Sequence, residues 1–175
     1  MNLARLRLRA DSNLIEQGAR IIPFRRPGSE RERRTLQEAV SEGLVYEMGI
    51  DSFFGASHFM RPNGAVHTHS FRIQAMFETA QVDDHGMMLG FREVNDVLEA
   101  EARKYANRVL NDIEPFTVIE PTGENLAAII LRNLQTRLVH DVVGCPRLIA
   151  LTLWENPTNF IRVTPRRTVI GADAR

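Results

Sequence analysis

Phe53-Phe54-Gly55-Ala56-Ser57-His58, then Val66-His67-Thr68-His69-Ser70, is the stretch from which the rest of this 175-residue chain is read. Successive side chains of a strand alternate faces, so residues two apart point the same way. His67 and His69 therefore project together, and a preceding antiparallel strand that ends at His58 supplies a third imidazole. Three neutral nitrogens with an open fourth position describe a catalytic zinc site, because structural zinc sites are usually closed by four protein ligands. Two histidines two apart also arise on ordinary strands, and the pair alone does not decide between the two readings.

Composition bounds the rest. A chain of this length forms one domain with a full core. Lysine plus arginine and aspartate plus glutamate both number 22, so no overall field favours nucleic acid or an acidic membrane. Cys145 is the single cysteine and excludes an internal disulfide. No apolar run approaches the ~20 residues of a membrane span, and the N-terminus lacks a secretory apolar segment, so the expected location is cytoplasmic.

Working outward from the histidines, residues 1–44 read as an N-terminal extension, an arm that is partly helical or disordered. Ser29 is a candidate N-cap there, with Glu32 completing a capping box for a helix to about Glu42. Residues 45–170 read as the domain proper. Leu44 to Met60 suits a strand, and Ser70 to Ala80 alternates well enough for a second. Phe91, Val94, Leu98, Ala102 and Tyr105 recur at helical spacing. Thr122 is a good N-cap for a further helix carrying Leu126, Ile129, Ile130, Leu134 and Leu138 on one face. Leu148 to Trp154 and Phe160 to Val163 give two closing strands. The order β-β-α-α-β-β predicts an α+β architecture, an antiparallel four-stranded sheet with two helices on one face. Such a sheet keeps open edges that favour pairing with other subunits.

Several motifs along this order resemble one family, 6-pyruvoyltetrahydropterin synthase and its bacterial relative 6-carboxytetrahydropterin synthase. They are Phe54-Gly55-Ala56-Ser57-His58, His67-Thr68-His69, Gly86-Met87-Met88-Leu89-Gly90-Phe91, Leu110-Asn111, Pro121-Thr122-Gly123-Glu124-Asn125 and Trp154-Glu155-Asn156. The resemblance spans about residues 45–165. It implies the tunnelling fold, zinc (Zn2+) on His58, His67 and His69, and a homo-oligomer, either a trimer or a hexamer built as a dimer of trimers. It implies a small-molecule substrate and no nucleic-acid or membrane partner. Glu155 falls where the family's glutamate grips the amidine-like edge of a pterin, and Glu124 with Thr122 resembles the second ring-binding element. By themselves these three residues read equally as a strand-end acid and a helix N-cap with its first-turn acid.

The catalytic positions depart from the family. Asn63 stands where members carry a proton-abstracting cysteine, and Ala106 and Asn107 stand for an aspartate–histidine pair. None of the three exchanges a proton near neutrality. Gly123 lacks a hydroxyl often found at its position, which predicts a looser pocket or one shaped for another ring. Arg61 and Asn63 are candidates to hold an anionic group beside the metal. His85 with Asp84, and His140 with Asp141, are weaker candidates, and Cys145 reads as a small buried side chain. Two functions follow. One is a zinc-dependent lyase, cyclase or isomerase acting on a pterin-like or other small biosynthetic intermediate, with acid–base chemistry unlike the family's on dihydroneopterin triphosphate. The alternative is a catalytically silent paralogue that keeps zinc and a pterin-like ligand as a binding or scaffold protein.

Overall fold

The computed structural model describes residues 28–83, 85–88, 90–141 and 146–166. Asp84 and Cys145, and the side chains of His140 and Asp141, lie outside the described residues, as does most of the extension. Helix α1 (Glu30–Ser41) forms where the capping box predicts. The Glu32 N–H donates to Ser29 Oγ at 3.3 Å and the Ser29 N–H to Glu32 Oε2 at 2.8 Å. No residue of α1 is buried, so the cap alone defines its start while packing adds little.

Strands β1 (Tyr46–His58) and β2 (His67–Thr79) form a long antiparallel pair. Helix α2 (Phe91–Arg103) follows, then β3 (Arg108–Val109), a 3-10 turn at Leu110–Asp112, helix α3 (Gly123–Asp141), β4 (Arg147–Trp154) and β5 (Phe160–Val163). The sheet order is β3-β1-β2-β4-β5. The expected four strands are therefore five, because β3 adds a two-residue parallel pairing to Ala56 and Ser57. Asn107 makes this possible. Its φ of 58° reverses the chain after α2, and its N–H donates to the Gly55 carbonyl at 2.7 Å. Asparagine tolerates that left-handed conformation better than most residues. Two residues are too few to carry a period, which is why the sequence did not signal β3.

Both α2 and α3 pack on one face of the sheet. Phe54, Phe71, Ile73 and Phe77 meet Val94 and Leu98 of α2 and Leu126, Ile130 and Leu134 of α3 in a single core. Each of these side chains contributes roughly 1.5–3 kcal/mol on burial. Within the core Glu101 is fully buried, accepting from Tyr105 Oη at 2.9 Å, Asn133 Nδ2 at 2.7 Å and Lys104 Nζ at 2.5 Å. Burial, and then the Glu101 charge, push the Tyr105 phenol well above its ordinary range. This hub ties α2 to α3 with each of the contacts supplied by a donor, as a buried carboxylate requires. Among the described residues no helix is long and apolar enough to cross a membrane.

Candidate functional site

The β1–β2 register sets His58 directly opposite His67 and Ala56 opposite His69. All three histidines share the face of Phe54 and Phe71, because strand parity puts alternate residues on one side. Their ring centres lie 5.1 Å (His58–His69), 6.2 Å (His58–His67) and 6.3 Å (His67–His69) apart. His58 is buried and His67 is exposed.

His58 is also oriented. Its Nδ1 lies 2.8 Å from the Pro121 carbonyl oxygen. A carbonyl only accepts, so Nδ1 carries the hydrogen, and Nε2 is the ring nitrogen left for a ligand. Backbone carbonyls commonly fix metal-binding imidazoles in this way. Three imidazoles on one tetrahedral zinc need ring centres about 5 Å apart. One separation meets that and two exceed it by about 1 Å. Among the described residues no group of three histidine, cysteine, aspartate or glutamate side chains stands ready, as placed, to hold a metal ion. The donor set nevertheless fits zinc in chemistry, and rotation of the exposed His67 side chain is the movement that would bring it in.

The segment that holds His58 is itself clamped. Arg61 donates from its backbone N–H to Glu120 Oε2 (3.1 Å) and from Nε to Glu120 Oε1 (3.0 Å). Its Nη1 reaches the Thr117 carbonyl (3.1 Å), and Nη2 the carbonyls of Phe116 (3.0 Å) and Ile119 (2.7 Å). Arg61 is thus committed to the loop before α3 and does not serve as the expected anion holder. The guanidinium holds the Glu120 carboxyl below the usual carboxylate range. Asn111 adds a second tie, donating to the Phe59 carbonyl (2.9 Å) while accepting from the Phe59 N–H (3.0 Å). Asn63 is exposed in the intervening turn, next to Gly64, where a Cβ would collide with the Met60 carbonyl oxygen. Sequence reasoning missed this clamp because Arg61 and Glu120 stand far apart in the chain.

On the other side of the same loop, Thr122 caps α3 by accepting from the Asn125 N–H at 3.2 Å. Glu124 is exposed in the first turn. A Cβ at Gly123 would lie 2.6 Å from Ile161 Cδ1 and 3.0 Å from Glu155 Oε1. Of the two expectations for Gly123, a looser pocket or one shaped for another ring, the first gains no support: the ends of the Ile161 and Glu155 side chains reach into the space at Gly123. Pro121 to Gly123 bridges the two halves of the site, with His58 on one side and Glu155 on the other. An open cavity of about 550 Å³ is lined by His69, Phe53, Arg72, Trp154 and Glu155 among others, within the roughly 300–1,000 Å³ of small-molecule sites. Cavities beside α1, of about 500, 350 and 390 Å³, touch none of the clustered histidines.

The remaining sequence candidates stand apart. His85 is exposed in a turn organised by Asp83, whose Oδ1 accepts from the backbone N–H groups of Met87 (2.9 Å) and His85 (2.8 Å). These contacts, that of Met87 foremost, lower the Asp83 carboxyl below its ordinary value. Ala106 is half-buried and Asn107 is exposed beside β1.

A family model described as 6-pyruvoyl tetrahydropterin synthase matches residues 47–166 of the chain. Among solved structures, the 6-pyruvoyl tetrahydropterin synthase of Caenorhabditis elegans is similar at 18% identity and a TM-score of 0.61, with 70% of this chain and 97% of that one covered. An uncharacterized protein from Wolinella succinogenes is similar at 14% identity and a TM-score of 0.54, covering 71% and 100%. The 6-pyruvoyl tetrahydropterin synthase of Plasmodium vivax is similar at 14% identity and 0.52, covering 69% and 97%. At these identities the likeness is one of fold. Among curated protein sequences none matches the chain.

Proposed function

Because the chain belongs to the 6-pyruvoyl tetrahydropterin synthase family, we propose that it is a zinc-dependent enzyme of the lyase, cyclase or isomerase class acting on a pterin-like intermediate. The observation that carries this reading is the joint placement of three imidazoles and Glu155 around one loop, with His58 bonded to Pro121 and Gly123 abutting Glu155. His58, His67 and His69 would hold the metal, which supplies Lewis-acid polarisation or an acidified water when bound. Glu155 accepts two ring N–H groups of a 2-amino-4-oxo heterocycle in charge-assisted form. Thr122 acts chiefly as the cap that fixes the α3 start, and Glu124 stands in the first turn within reach of solvent. The family association supports a homo-oligomer, which would cover the sheet edges that the short β3 and β5 leave.

The protons are the open part of this chemistry. Asn63, Ala106 and Asn107 hold none to exchange, and losing an acid–base group removes a factor of ~10² to 10⁴ in rate. That observation favours a second reading, a catalytically silent paralogue that binds zinc and a pterin-like ligand. Incubation of purified protein with dihydroneopterin triphosphate and with dihydroneopterin, followed by product analysis, separates them. Turnover of either compound supports the enzyme. Tight binding without turnover at high protein concentration supports the paralogue, and absence of both contradicts the pterin-like site. The paired substitution Asn63→Cys with Asn107→His is expected to raise synthase activity if the two positions align as proposed.

A further inference from the structure

Of the three clustered imidazoles, His58 alone is hydrogen-bonded among the described residues. Its acceptor, the Pro121 carbonyl, belongs to the irregular stretch between the 3-10 turn and α3, so no helix or strand ladder fixes that oxygen in space. The hold comes from the His58 segment itself. The Arg61 fork donates to the carbonyls of Phe116, Thr117 and Ile119 and, from Nε, to the Glu120 carboxylate, which uses four of the five guanidinium N–H groups. The Arg61 backbone N–H reaches the other Glu120 oxygen. From the α3 side, Asn125 Nδ2 donates to the Glu120 carbonyl at 2.8 Å. Glu120 is therefore gripped by its side chain and by its backbone, and Pro121 is the next residue.

Arg72 shows the contrast with an ion pair between strands. It donates twice to one oxygen, Asp51 Oδ2 (3.2 and 2.7 Å), on the sheet face away from the histidines, and its partner is a side chain of a strand that the sheet already holds. Arg61 instead gathers a run of main-chain carbonyls that regular structure does not claim. A lysine in its place would present three donors at one point on a flexible stem, and could not span three carbonyls and a carboxylate as the planar fork does.

We propose that Arg61 is the positioning residue of the metal site: by ordering residues 116–120 it sets the Pro121 carbonyl, and through that oxygen the Nδ1–H form of His58 and the direction of its Nε2. The proposal rests on the reading of His58, His67 and His69 as the zinc ligands. The ligand and the group that orients it are carried on two short segments, 58–61 and 116–121, locked to each other by the fork. His67 follows the exposed stretch 62–66 and is itself exposed. His58 is then the fixed member of the set and His67 the adjustable one.

Nitrogen-15 NMR of the histidine rings tests this on the full chain stripped of metal, at about pH 8 where imidazoles are neutral, together with Zn2+ affinity by chelator competition. Wild-type His58 is expected in the Nδ1–H form. Arg61→Ala is expected to give a mixture of both tautomers at His58 and to weaken Zn2+ binding about tenfold, the low end for loss of an outer-shell partner. Arg61→Lys keeps a charge opposite Glu120 but not the fork, and is expected to behave like Arg61→Ala. Full restoration by lysine overturns the proposal, because the ion pair alone would then suffice. A folded Arg61→Ala protein with unaltered tautomer and affinity overturns it as well, and leaves the zinc reading standing. The wild-type spectrum decides even if neither variant folds, since an Nε2–H form of His58 contradicts the orienting bond. A wild-type chain that binds no Zn2+ overturns the zinc reading itself, and with it this proposal.

Discussion

The starts of α1 and α3 are built from the same local chemistry and do very different things. Ser29 caps α1 with a full capping box, yet the helix buries none of its residues. Thr122 caps α3 with one hydrogen bond, yet that start carries the carbonyl that orients His58 and the glycine on which Glu155 rests. Leu126, Ile130 and Leu134 then seat α3 against the sheet. A cap says where a helix begins; the packing of the following turns decides whether its first residues can serve as a fixed platform. Substitutions at five positions test this difference.

The largest effect is expected at His58, the imidazole that the α3 start holds. His58→Ala should weaken zinc affinity by more than about a hundredfold, beyond the 10–100-fold typical of losing an outer-shell partner. Competition with a chromogenic chelator measures it. Glu155→Gln keeps the shape but removes the charge. Ring-ligand binding should fall by about tenfold to a hundredfold, since a hydrogen bond to a charged group contributes roughly 1.5–3 kcal/mol. Zinc content should be unchanged in that variant, and a loss of metal would mean that the two halves of the site are not separable.

Gly123→Ser places atoms where the ends of the Ile161 and Glu155 side chains lie; both can swing aside, so the stability loss should be no more than about 1 kcal/mol, the low end of overpacking. Denaturant unfolding should show that loss, accompanied by weaker ring binding. An unchanged protein would mean that the contact at Gly123 is not tight. Glu120→Gln tests the clamp through pH. The Glu120 carboxyl is lowered in the folded protein by its bonds to Arg61, so its contribution is fully present above the unfolded carboxylate range and is lost as pH falls through the depressed value. Wild-type stability should therefore decline more steeply below about pH 4.5 than that of the variant. The smallest effect is expected at α1. Ser29→Ala should reduce helicity of that segment, a cap being worth about 0.5–2 kcal/mol of helix stability, while the main unfolding midpoint stays in place.

The same contrast marks what the sequence could disclose. Alternation in β1 and β2 gave the shared face of His58, His67 and His69, and the 3.6-residue spacing of Leu126, Ile130 and Leu134 gave the core side of α3. Both are local periodicities. The α1 capping box was legible for the same reason, being written within four residues. What stayed hidden depends on residues far apart in the chain: Arg61 on Glu120, Asn111 on Phe59, Ile161 against Gly123, and Asp51 on Arg72. β3 was hidden for another reason, since two residues have no period and its position follows from the left-handed Asn107. At Gly123 the sequence left open a looser pocket or one shaped for another ring, because it shows a missing side chain but not that Ile161 and Glu155 reach into its place. The proposed assignment of zinc to His58, His67 and His69 rests on motif order together with ring placement, and the proposal of a pterin-like ligand rests on Glu155.

Zinc K-edge absorption on protein purified without added metal tests the central claim most directly. The account predicts about one zinc per chain, with three imidazole nitrogens at ~2.0–2.1 Å, seen by their outer-shell ring scattering, and one further oxygen ligand in the open position. Protein that folds and retains no zinc, or zinc held by sulfur or by oxygen alone, would contradict it.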